Sequence, residues 1–102
     1  YMVARTWQVA KQYGLDHKLM DVKFRRTKTK WGHCTSKGSI QYNWLIMGAP
    51  LAVIDYLICH EVCHLRHHNH SPAFWQLVAV HCPDYKQQQA WLKQNSIRLS
   101  WC

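Results

Sequence analysis

Acid is what this chain has least of. Its 102 residues hold five Asp and Glu together, only one of them a glutamate, against thirteen Lys and Arg, for a formal net charge of +8. Glycine and proline are scarce too, at four and three residues. No linker rich in them, repeat or low-complexity tract therefore divides the chain. No apolar run approaches the roughly 20 residues a membrane span needs, and the opening "YMVARTWQVAKQYG" lacks the apolar core of a signal peptide. The five cysteines (Cys34, Cys59, Cys63, Cys82, Cys102) contain no CxxC pair. A zinc ribbon thus has no thiolate framework, and any metal site is limited to histidine and carboxylate. An odd cysteine count, with two thiols one helical turn apart in an apolar run, points to reduced, buried thiols and a cytoplasmic protein.

What the chain does have is apolar mass. Hydrophobic residues make up 48% and six are tryptophan, enough to offset ordering entropy in one domain spanning 1–102 without disulfides. Because it starts at Tyr1 rather than Met, it is read as an excerpt of a longer chain.

The periodicities predict an α+β order. Residues from about Val3 to Tyr13 suit a helix ending near Gly14, with Val3, Trp7 and Ala10 on one face. "DVKFRR" alternates Val22 and Phe24 with charge, as a half-buried strand does. "TKTKWGHCTSKGSIQYNW" reads as two strands joined at Ser36 to Gly38, with Ile40, Tyr42 and Trp44 facing one way. Together these predict a small antiparallel sheet of about three strands with one wet face. Pro50 then suits the start of a long helix from Leu51 to about His67, whose apolar stripe is Ile54, Ile58, Val62 and Leu65. Asn69 suits a left-handed terminator, Ser71 and Pro72 a new helix start, and "PDYKQQQAWLKQN" a further helix beginning near Asp84. "SIRLSWC" is read as a docked tail.

Five of the eight histidines and the only glutamate fall in "ICHEVCHLRHHNHS", residues 58 to 71. His60-Glu61-Val62-Cys63-His64 is an HExxH motif. On a helix, residues i and i+4 stack about 6 Å apart, so both imidazoles can reach one zinc ion (Zn2+). Glu61 then lies on the flank, where it can take a proton from a metal-activated water and pass it to a leaving amine. A catalytic zinc needs a third protein ligand and an open position, and His67, His68 and His70 are the candidates. His68 continues the column but stands roughly 12 Å above His60 at 1.5 Å per residue. His70, beyond the turn, is the favoured third ligand. The spacing HExxHxxxxxH equals that of the metzincin signature, with His67 where those proteases carry glycine.

These residues resemble the YgjP-like metallopeptidase domain, a group of zincin-type metal-dependent hydrolases. The matching blocks are "KTKWGHCTSKGSIQYNW", "AP" at 49 and 50, "VIDYLICHEVCHLRHHNHSPAFW" and "CPDYKQQQAWLK", covering roughly Val22 to Lys93. The resemblance implies zinc at His60, His64 and His70, Glu61 as catalytic acid/base, a peptide or protein substrate, and a zincin-like sheet packed on the HExxH helix. His33 departs from the small residue of the family's "WGSC" block, and "LIMG" from its "RLIL"-like stretch. Both bear on substrate preference more than on chemistry.

Other features carry readings of their own. Six basic residues between Lys23 and Lys37 suit a nucleic-acid partner, as in a SprT-like protease acting on DNA-bound proteins, or simply a solvated face. The hairpin "WGHCTSKGSIQYNW" suits peptide recognition by strand addition, or a cover for the helix. Tyr85, His33 and Asn43 are candidate helpers for a developing oxyanion. Cys59 and Cys63 suit packing, and Trp31, Trp44, Trp75 and Trp91 suit core and lid. A non-catalytic, zinc-stabilised binding module is the reading from another class.

Overall fold

A helix with apolar residues on nearly every side can only sit in the middle of a protein, and this chain is built around one. The computed structural model describes residues 1–25, 30–95 and 100–101. Its elements are α1 (Met2–Gln12), a 3-10 turn (Asp16–Lys18), β1 (Asp21–Arg25), β2 (Lys30–Cys34), β3 (Ser39–Asn43), a 3-10 turn (Trp44–Gly48), α2 (Leu51–His64), α3 (Pro72–His81), α4 (Tyr85–Gln94) and β4 (Ser100–Trp101). Helix α2 packs against α1, α3, α4 and β2. Eleven of its fourteen residues are buried, including the stripe from Ile54 to Val62. The fold is α+β, with the HExxH residues on the central helix.

The sheet is mixed rather than antiparallel. Its order is β1-β3-β2-β4, with the β2/β3 hairpin antiparallel and β1 parallel to β3 from Asp21↔Ser39 to Arg25↔Asn43. What selects this pairing is the hairpin turn. Gly38 has φ +93° and meets the Lys18 carbonyl so closely that a Cβ there would stand 2.0 Å from the oxygen. Met20 N–H donates to the Gly38 carbonyl at 2.9 Å, and Ser39 and Asp21 bond side chain to side chain. The start of β1 is thereby pinned to the start of β3, which fixes both direction and register.

Three local expectations shift. The buried face of α1 is Met2, Thr6, Val9 and Ala10, with Val3 and Trp7 exposed, because the Thr6 hydroxyl bonds the Met2 carbonyl at 2.6 Å and the Tyr42 hydroxyl at 2.8 Å. A buried Thr is tolerable once so satisfied. Trp44 leaves the strand alternation, because Asn43 caps a 3-10 turn by accepting from Leu45 N–H at 3.0 Å. Trp44 is exposed and stacks on Phe24 at 4.7 Å, whereas Trp31 is buried. Helix α2 stops at His64, short of the expected His67, and no non-glycine residue among those described has positive φ. Asn69 is therefore not a left-handed terminator. Of the expected tail, residues 96–99 and 102 lie outside the described residues, and Ser100–Trp101 pairs parallel with β2.

Gly38→Ala should destabilise the fold by about 2 kcal/mol or more, since strained φ and a backbone clash coincide there. Gly48→Ala, with nothing within 4 Å of its Cβ, should stay within about 0.5 kcal/mol. Urea unfolding of both variants checks the contrast.

Candidate metal centre

Helical spacing sets His60 above His64, and both are buried, at 0% and 1% exposure. After His64 the chain continues in tighter turns: Leu65 N–H donates to the Val62 carbonyl at 3.0 Å, and Arg66 N–H to that of Cys63 at 3.1 Å. This carries the His67 carbonyl to 3.0 Å from His64 Nδ1. A carbonyl only accepts, so Nδ1 carries the proton, and in the neutral ring Nε2 is the lone pair that faces His70. His67 thus contributes its backbone, not its ring.

The chain then turns back and delivers His70. Its Nε2 stands 3.1 Å from His64 Nε2 and 3.4 Å from His60 Nε2. Zinc–nitrogen bonds of about 2.0–2.1 Å at tetrahedral angles put neighbouring ligand nitrogens roughly 3.3 Å apart. The donor set therefore fits one small tetrahedral ion. Among the described residues, His60, His64 and His70 form the one cluster of three or more His, Cys, Asp or Glu with ligand atoms within 4.8 Å of one another. His70 is exposed, which leaves the site an approach from solvent, as an open coordination position requires.

Helix α3 supplies the packing. Ser71 caps it by accepting from Phe74 N–H at 3.3 Å. Phe74, fully buried, stacks on His64 at 4.4 Å and meets His60 and His70 edge-on at 5.0 and 5.2 Å. Trp75 lies 5.6 Å from His70 and stacks on Tyr85 at 5.3 Å. The imidazoles are held by aromatic faces on the side away from α2.

Glu61 is fully buried. Strand β2 crosses over it at Gly32, where a Cβ would stand 2.7 Å from Glu61 Oε2 and 3.2 Å from Cδ. Sequence reasoning missed Gly32 as a functional residue. The signal was there: a glycine inside a strand marks a close approach.

The other candidates separate. His33 pairs across from Gln41, while Gly32 pairs with Tyr42, so His33 shares the sheet face opposite to Glu61. Asn43 is used as a cap. Tyr85 alone joins the aromatic layer over the site. Cys59 and Cys63 are buried free thiols, and Tyr13 O–H donates to Cys59 Sγ at 3.3 Å, away from the imidazole cluster. His68 is exposed and lines a 400 Å³ surface cavity with Lys18 and Lys37. In the basic segment, Lys23 pairs with Asp21 at 3.6 Å and Arg25 donates to Gln41 at 3.0 Å. Arg26 and Lys28 lie outside the described residues. Two of the segment's six cations, Lys23 and Arg25, are thus engaged locally, and Lys37 is exposed. The edge of β2 away from β3, one edge an added peptide strand could use, carries β4 over Lys30 and Gly32. No helix among the described residues is long and apolar enough to cross a membrane.

Comparison with known proteins gives a family and a fold. The YgjP-like, metallopeptidase domain family matches residues 1–95. No curated protein matches the sequence. Among solved structures, the crystal structure of the metallopeptidase zymogen of Pyrococcus abyssi abylysin superposes with a TM-score of 0.83 at 21% identity, covering 98% of this chain and 99% of that one. At that identity the likeness carries the fold.

Gly32→Ala should move the Glu61 carboxylate without touching the histidines. Peptide hydrolysis should fall by about 10²-fold or more, as for a misplaced catalytic group, while metal content measured by elemental analysis stays unchanged.

Proposed function

The chain belongs to the YgjP-like metallopeptidase domain family, and from that premise we propose that it hydrolyses amide bonds of peptide or protein substrates, using zinc held by His60, His64 and His70 and Glu61 as general base. The observation that carries this reading is the convergence of three Nε2 atoms, 3.1 and 3.4 Å apart, beside a buried carboxylate. Nitrogen donors at this spacing, one of them exposed, suit zinc and a catalytic rather than closed structural site. When bound there, zinc supplies a Lewis acid that polarises the scissile carbonyl and acidifies water.

The rest of the chemistry belongs to the chain. Glu61 follows His60 directly, so its carboxylate stands beside the imidazoles rather than stacked among them. It takes the proton of the attacking water and returns it to the leaving nitrogen, which departs as an amine. Gly32 gives that carboxylate its room. Phe74 and Trp75 hold the imidazoles and keep water from their inner faces, where excluding solvent strengthens every charge interaction.

We read residues 1–102 as one catalytic domain working in the cytoplasm, the compartment that the thiols of Cys59, Cys63 and Cys82 suit. A DNA-associated protease would add a steep loss of DNA affinity with salt.

Purified protein should hold about one zinc per chain. Glu61→Gln should keep that metal and lower cleavage of a peptide library by at least about 10²-fold. Full activity in that variant would sink the mechanism.

A further inference from the structure

The helical column that stacks His64 on His60 has an earlier member. Tyr56, His60 and His64 follow one another at intervals of four, so they lie on one side of α2. Tyr56 is fully buried, and its hydroxyl stands 3.0 Å from His60 Nδ1. His60 Nε2 faces His70. Whatever bonds Nδ1 therefore decides which nitrogen of His60 carries the proton.

The two buried rings differ in this respect. His64 faces a carbonyl that can only accept, so the backbone fixes its tautomer. His60 faces a phenol, which can accept or donate. A phenol donating to Nδ1 would put the ring proton on Nε2 and remove His60 from the donor set. We propose that Tyr56 is the positioning residue of the metal centre: its oxygen accepts the Nδ1 proton of His60 and so leaves Nε2 as the lone pair facing the ion. This rests on the reading of the histidine cluster as a zinc site.

Two further features support the assignment. Phe74 and Trp75 meet the His60 ring edge-on at 5.0 and 5.8 Å, so packing holds the ring and the hydrogen bond has only the proton to place. A phenol oxygen can accept that proton without bringing the charge of the carboxylate that often orients a metal-bound histidine.

Tyr56→Phe keeps the ring and deletes the oxygen. Its zinc affinity, read by competition with a chelator, should fall about 10- to 100-fold. Tyr13→Phe is the control, since it deletes a phenol bonded to Cys59 on the same helix; its zinc affinity should stay within about twofold of wild type. Nitrogen-15 NMR of histidine-labelled wild type should show zinc on His60 Nε2 and a slowly exchanging Nδ1 proton. That protection should be lost in Tyr56→Phe. Unchanged zinc affinity in Tyr56→Phe, or a wild-type His60 protonated at Nε2, overturns the proposal. Should neither protein bind zinc, the metal-site reading fails separately, and the His60 tautomer ratio in the metal-free proteins still decides: a shift on deleting the phenol supports the assignment, and an unchanged ratio overturns it.

Discussion

Three polar side chains, His60, Glu61 and His64, are buried at 0–1% exposure in the central helix. Unsatisfied, each would cost about 1–3 kcal/mol, and more for a charge. Much of the local architecture follows from meeting that demand. His64 Nδ1 donates to the His67 carbonyl, a bond made where α2 stops at His64 and the chain tightens beyond it. The same tightening starts the turn that returns His70 to the other two rings. One part-buried hydrogen bond thus joins the end of a helix to the assembly of a three-nitrogen site.

The same demand explains the position of the sheet. A strand with side chains on both faces would drive the Glu61 carboxylate off the helix, yet Gly32 lets β2 approach within contact. Its neighbours are less permissive, since Tyr42, paired with Gly32 across the hairpin, is fully buried and fixed by Thr6 of α1. Helix α1, the hairpin and the carboxylate of α2 form one continuous stack. The placement of Glu61 is thus inherited from core packing, whereas His70 is delivered by the connection between α2 and α3.

The centre of this arrangement was legible in the residues and the periphery was not. HExxH spacing and the apolar stripe of α2 are local, periodic signals, and both depend only on 3.6 residues per turn. Ser71 as a cap is equally local. The direction of β1 is not, because alternation of Val22 and Phe24 looks the same whichever neighbour the strand pairs with. It is settled by a contact between Lys18 and Gly38, twenty positions apart and invisible to periodicity. The buried face of α1 failed for a related reason: Thr6 ranks as polar until Tyr42 supplies its partner. Asn69 illustrates the opposite error, a residue type suited to a left-handed turn that the chain makes by other means.

Charge is the last consequence. A dication held by three neutral imidazoles, as proposed, would have Glu61 as its nearest carboxylate in the sequence, in a chain with only five acidic residues. The partners of two of those imidazoles, the Tyr56 phenol and the His67 carbonyl, are neutral as well. Replacing either by a carboxylate would raise ligand basicity and neutralise part of the metal's charge. With neutral partners, zinc held there as proposed would keep more of its charge for a group entering from the His70 side. Of the five acidic residues only Glu61 adjoins these imidazoles in the sequence, so on the proposed reading the one carboxylate beside the ion is the group that moves the proton.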